Sequence, residues 1–175
     1  MIGPRSFFET RGGKDMARQR CKKMIGKMAL IGIVFGMGIG FNTAHAGNLF
    51  DAAVSATYAA TSQGDSQMLS TEALFYNSTA TLYDAYLYMA DAEAYAEDAT
   101  YYAWLSSGDW WGYYAWTYAD EAYYWFGLAA DNAYYAWTYG DLYYTYFALY
   151  YGGLGSYHNA FAEAYAGIGS YGGDY

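Results

Sequence analysis

The side chains in this sequence that could do chemistry are carboxylates and phenols, and they recur at regular intervals. Asp98, Asp109, Asp120 and Asp131 are eleven residues apart, and a Tyr-Tyr pair follows each of them after three or four residues. Carboxylate oxygens are hard ligands for Ca²⁺ and similar cations. Eleven residues make about three turns of an α-helix, so on one helix these aspartates are expected to lie along a common stripe. They are therefore weak candidates for divalent-cation binding, and no other metal or cofactor is expected.

The residues that most often carry catalysis are scarce. All eight Lys and Arg residues and Cys21 lie within residues 1–27, so the rest of the chain has no lysine, arginine or thiol. His158 has no G-x-S-x-G motif to complete a hydrolytic triad, and zinc sites normally need several His or Cys ligands. With a formal net charge of −9, the chain is also a poor candidate for nucleic-acid binding. The sequence predicts a protein that is not an enzyme.

The N-terminal region has the three parts of a secretory signal peptide. A basic stretch at 18–27 precedes an apolar run at 28–41, and Ala44-His45-Ala46 then forms an A-x-A cleavage site. We predict a signal peptide over residues 16–46 and no transmembrane helix after its cleavage. The codons available for residues 11–14 can encode a ribosome-binding sequence upstream of Met16, so residues 1–15 are predicted to be untranslated leader in a bacterial gene.

Composition predicts helices for most of the exported part. Val54 and Ile168 are its only valine and isoleucine, whereas alanine, the strongest helix former, is abundant. We predict a mainly α fold, an Ala/Tyr-rich helical hairpin or small bundle with imperfect eleven-residue repeats over residues 47–151. Residues 152–175 are predicted to be a Gly/Tyr-rich tail around a short helix at 159–166.

Helix breaks are expected at four places along this part of the chain. The first predicted helix, 49–61, is expected to end at 62–65, and a second helix to begin near 70–72. Further breaks are expected at 77–79, at 106–109 and at 140–141, where Gly, Asn, Ser or Asp can end or cap a helix. An alternative fold remains open, because eleven residues also fit a strand plus a turn, as in a small antiparallel outer-membrane β-barrel.

Aromatic residues are the strongest functional signal. Every one of the 25 tyrosines and 6 tryptophans follows the predicted cleavage site, and exposed apolar area on that scale usually marks an interaction surface. We assign the interaction surface to the repeat positions Tyr101, Tyr102, Trp104, Tyr113, Tyr114, Trp116, Tyr123, Tyr124, Tyr134, Tyr135 and Trp137.

These features favour an exported structural or assembly protein, such as a surface filament, sheath or matrix component that self-associates. It is expected at the cell surface or outside the cell, or else in the periplasm or outer membrane. The alternative is an extracellular or periplasmic binding module, in which rings stack on a cell-surface polysaccharide or Tyr and carboxylate oxygens hold hard metal ions. Redox relay or cross-linking through neighbouring Tyr and Trp rings is a third possibility.

Overall fold

The computed structural model describes residues 43–171, which form four α-helices and no strand. Helix α1 spans Thr43–Phe75, α2 spans Leu82–Leu105, α3 spans Trp110–Tyr139 and α4 spans Tyr143–Ser170. The predicted mainly α small bundle is confirmed, and the strand alternative for the repeat region is wrong. The predicted leader, residues 16–42 of the predicted signal peptide and residues 172–175 of the tail lie outside the described residues.

The four helices form an up-down-up-down bundle. Helices α1 and α2, α2 and α3, α3 and α4, and α4 and α1 pack against each other, while the two diagonal pairs barely touch. The connections at 76–81, 106–109 and 140–142 are short, and short connections make consecutive helices antiparallel neighbours.

The core of the bundle is built from small side chains at seven-residue periodicity. On α3 the buried positions alternate in steps of three and four along Gly112, Ala115, Ala119, Ala122, Phe126, Ala129, Ala133 and Ala136. The other three helices bury residues at the same spacing, most of them Ala, Gly or Ser. This is the spacing of left-handed coiled-coil packing. Small residues at these positions let the helix axes approach closely.

Two of the large core residues are accommodated by a glycine on a neighbouring helix. Phe126 is fully buried, and a Cβ on Gly155 would lie 2.5 Å from its Cδ1 atom. Leu49 faces Gly169 in the same way, with 2.6 Å between such a Cβ and its Cδ1 atom. The glycines therefore create the space that the large side chains fill, and each pair fixes the register of two helices.

Local capping ends the helices at three of the predicted breaks. Asn77 adopts a left-handed φ of 50° after α1, and the Ser78 N–H donates to the Ala73 carbonyl, as in a Schellman motif. The Asp109 carboxylate accepts from the Gly112 N–H at 2.6 Å and caps α3. Gly140 has a φ of 63° at the end of α3. The predicted breaks at 77–79, 106–109 and 140–141 are confirmed.

Two boundary predictions are wrong, and tertiary packing explains both. Helix α1 continues through 62–65 and 70–72 to Phe75, because Gln63, Ser66 and Ser70 are core positions and the Ser66 hydroxyl donates to the Ala85 carbonyl at 2.7 Å. Residues 152–170 belong to α4, because three of their five glycines pack against large side chains of other helices. They form no separate tail with a short helix.

Candidate interaction surface

The bundle reverses the usual distribution of side-chain size between core and surface. Its interior contains mainly alanine, whereas most of its tyrosine and tryptophan side chains lie on the outside or only partly buried between helices. Aromatic rings normally provide much of the buried area of a core. Here they form the surface, so the surface is where a functional role for them must be sought.

The structure distributes the predicted interaction residues over two helices and three ring clusters. Tyr101, Tyr102 and Trp104 lie together near the end of α2. At the start of α3, Tyr113 contacts both Tyr114 and Trp116. Towards the end of α3 a third group contains Tyr134, Tyr135 and Trp137. Of the remaining two, Tyr124 contacts Trp125 and Tyr123 is half-buried on α3.

A nearly continuous row of rings fills the groove between α3 and α4. At one end, Tyr165 of α4 stacks on Tyr114 with a centroid distance of 5.3 Å and on Tyr118 at 5.6 Å. In the middle, Trp125 stacks on Tyr151 at 5.9 Å. We call this row the α3–α4 aromatic groove. Stacked aromatic pairs contribute about 0.5–1.5 kcal/mol each beyond the area they bury.

The other end of the α3–α4 aromatic groove continues onto the neighbouring helix pair. Tyr135 lies 5.6 Å from Tyr144, again measured between ring centroids. Tyr86 of α2 contacts Tyr134 at a centroid distance of 5.5 Å. It also stacks on Trp137, with an interplanar angle of 8°. Rings therefore replace the aliphatic side chains that usually flank a helix-bundle core, and they connect α2, α3 and α4.

The eleven-residue aspartate spacing does not produce a common carboxylate stripe. Asp98 lies half-buried on α2, Asp109 caps the start of α3, and Asp120 and Asp131 are exposed on α3. The chain reverses direction between Asp98 and Asp109, so the prediction that all four aspartates share one stripe is wrong. Within residues 43–171, no group of three or more His, Cys, Asp or Glu side chains is placed to hold a metal ion.

Asp109 has a second contact besides its capping bond. Its Oδ2 atom meets Nε2 of His45 near the start of α1, and the Ser106 hydroxyl donates to the His45 carbonyl at 3.1 Å. The turn between α2 and α3 is thereby tied to the first turns of α1.

Carboxylates crowd the seam between α1 and α2. Burial raises the pKa of Asp51 and of Asp91 above the ordinary value of 3.8. Burial, followed by repulsion from Glu97, raises the pKa of Asp98 in the same direction. Burial also raises the pKa of the Tyr102 phenol, with further contributions from Asp51 and Asp98. None of these groups has a lysine or arginine partner within the described residues.

The raised aspartate pKa values predict that the bundle is more stable in mild acid than at neutral pH. The folded state binds protons more tightly than the unfolded chain, so unfolding free energy falls as pH rises from 3.8 through the raised pKa values. Thermal unfolding followed by circular dichroism across this range should show a falling Tm. Asp91→Asn with Asp98→Asn should raise Tm at pH 7 by a few degrees and flatten the slope. Asp120→Asn, at an exposed position, should do neither; equal effects from both changes would contradict the burial argument.

The sequence prediction omitted the aromatic residues of α4. Tyr143, Tyr150, Tyr157 and Tyr171 lie on a seven-residue spacing whose fourth position is Ala164, and the four tyrosines are exposed. This seven-residue spacing is visible in the sequence and could have identified these tyrosines as one side of a helix. Glycines interleaved with the tyrosines resemble a flexible tail, since glycine disfavours isolated helices by about 1 kcal/mol relative to alanine.

The fold and surface define this protein as an alanine-core four-helix bundle with an aromatic exterior. No protein-family model, no curated protein and no solved structure matches the chain. Among the helices of residues 43–171, none is long and apolar enough to cross a membrane.

Proposed function

We propose that the protein is an exported, non-catalytic structural protein that acts by self-association, as a component of a surface filament, sheath or matrix. The observation that carries this proposal is the exposed aromatic surface around an alanine core. Large exposed apolar patches on folded proteins usually serve association. The signal peptide predicted over residues 16–46 supports export, and exported protein should then begin at Gly47 when its N-terminus is sequenced.

Charge determines the conditions under which association is expected. Fifteen of the seventeen carboxylates follow the predicted cleavage site, and no lysine or arginine accompanies them. Copies of such a chain repel one another at neutral pH and low ionic strength. Protonation of the aspartates, screening by salt, or Ca²⁺ bound between carboxylates of different copies weakens this repulsion.

We expect the protein beginning at Gly47 to form oligomers or larger assemblies as pH is lowered towards 4, and at neutral pH on addition of Ca²⁺. Light scattering with electron microscopy of the same samples measures this. The control is a buffer without Ca²⁺ or Mg²⁺ in which NaCl gives the same ionic strength. Assembly with Ca²⁺ but not with NaCl would indicate bridging by the cation and not charge screening. A monodisperse monomer under every condition would refute the proposal.

Polysaccharide binding is the second candidate, and one end of the bundle favours it. Trp104 and Trp110 are each more than half exposed on either side of the turn at 106–109, and Asp109 directly precedes Trp110 in the chain. Exposed indole faces beside a carboxylate suit sugar rings, which offer C–H faces for stacking and hydroxyls for hydrogen bonds. Co-sedimentation with insoluble polysaccharides tests this candidate, and loss of binding in Trp104→Ala with Trp110→Ala would assign it to this end.

A further inference from the structure

The outward side of α4 carries exposed tyrosines at regular spacing. Tyr143, Tyr150 and Tyr157 are 60–62% exposed, and Tyr171, just beyond the helix, is 92% exposed. Seven-residue spacing puts these side chains, with Ala164, in one row along the helix. We call this row the outer tyrosine row. In residues 43–171 none of its members makes an ion pair.

A shallow channel runs beside the outer tyrosine row on the side facing α1. Gly153, Ala160 and Gly167 follow one another at seven-residue spacing there, and a Cβ on either glycine would meet nothing within 4 Å. A ridge of rings next to a channel of small residues is self-complementary: across a two-fold axis, the ridge of one copy faces the channel of the other.

Charge is the main reason to expect a second copy on this side. Within the 28 residues of α4, Glu163 is the only carboxylate, and it is half-buried and accepts a hydrogen bond from Thr57 at 2.9 Å. The other three helices together carry eleven carboxylates, five of them on α2. Two acidic copies repel least when their least charged sides face each other, and here that side is α4.

The available area is sufficient for a stable dimer. A helix of 28 residues is about 42 Å long, and each exposed tyrosine offers on the order of 100–150 Å². The outer tyrosine row with the flanking Tyr146, Phe161 and Ile168 therefore approaches the roughly 800 Å² per partner of a standard interface.

We infer that the outer tyrosine row and its adjoining channel form the interface between two copies of this chain, paired through α4. This inference rests on the proposed function, because it locates the self-association proposed there. It assigns the α2 side, with its five carboxylates, to solvent or to cation-bridged contacts between dimers.

Sedimentation equilibrium of the protein beginning at Gly47, at neutral pH and moderate salt, tests the inference. Tyr150→Asp with Tyr157→Asp should weaken dimerisation at least about tenfold, with unchanged helical circular dichroism. The matched control is Tyr88→Asp with Tyr124→Asp, which adds the same charges at exposed positions on α2 and α3 and should leave the dimer intact.

A second variant avoids any change of charge. Gly153→Leu has open space in the single copy and replaces a helix-disfavouring residue, so it should fold at least as well while blocking the channel and weakening the dimer. If the parent protein dimerises but neither variant affects it, or the control weakens it equally, the α4 interface is wrong while self-association stands. A parent protein that stays monomeric in every buffer overturns self-association itself.

Discussion

Gly112→Ala is expected to remove about 3 kcal/mol of unfolding free energy or more, the largest loss expected from a glycine-to-alanine change within residues 43–171. A Cβ at this position would lie 1.7 Å from the Ser106 carbonyl oxygen and 2.4 Å from its carbon. Both are backbone atoms of the turn that ends α2, so no change of rotamer relieves the clash. The start of α3 would have to move away from α2, which also breaks the capping bond to Asp109.

Urea unfolding followed by circular dichroism measures this loss, and Gly108→Ala is its control. Gly108 lies in the same turn, four residues earlier, and a Cβ there meets nothing within 4 Å. The control should change the unfolding free energy by less than about 0.5 kcal/mol. Equal stability of the two variants would show that the end of α2 does not approach the start of α3 as closely as described.

The second large effect is expected from Phe126, the largest fully buried side chain of the described residues. Phe126→Ala should cost about 3–5 kcal/mol, a large part of the 5–15 kcal/mol typical of a whole domain. The cavity cannot close easily, because Gly155, which packs against the ring, has no side chain to move into the space. Thermal unfolding should show a correspondingly lower Tm.

The Phe126–Gly155 pair can be tested in the opposite direction. Gly155→Ala should cost about 1–3 kcal/mol although alanine favours helices, because its Cβ would lie 2.5 Å from the phenylalanine ring. Gly153→Ala, two residues earlier with open space, should instead stabilise the helix by up to about 1 kcal/mol. Phe126→Leu with Gly155→Ala should be more stable than the sum of the single changes; strict additivity would show that the two residues do not share space.

Much of the secondary structure could be predicted because it depends on local chemistry. Alanine content and the lack of β-branched residues favour helix, and Asn77, Asp109 and Gly140 end or cap helices through their own backbone preferences. The failures occurred where local preference and packing disagree. Ser66, Ser70 and Gly155 disfavour a helix interior when considered alone, yet each lies inside a helix because a small residue fits the core there.

The candidate surface was harder to predict than the helices. The conspicuous eleven-residue aspartate spacing suggested one stripe, but the turn at 106–109 divides those residues between two antiparallel helices. The seven-residue spacing of small residues, which governs the packing, is less visible because alanine and glycine also occur between the core positions. Sequence reasoning therefore selected rings on α2 and α3 and omitted the tyrosines of α4.

The sequence by itself determined the charge balance, the confinement of all lysine and arginine to residues 1–27, the helical character and most chain reversals. These follow from composition and from interactions between residues close in the chain. Only the tertiary structure decided that alanine lies inside and tyrosine outside, and that α4 presents the least acidic side. The physical reason is that a helix rich in both small and aromatic residues has more than one apolar side. Which side is buried depends on the close approach of four backbones, and that approach is possible only where all four helices place small side chains together.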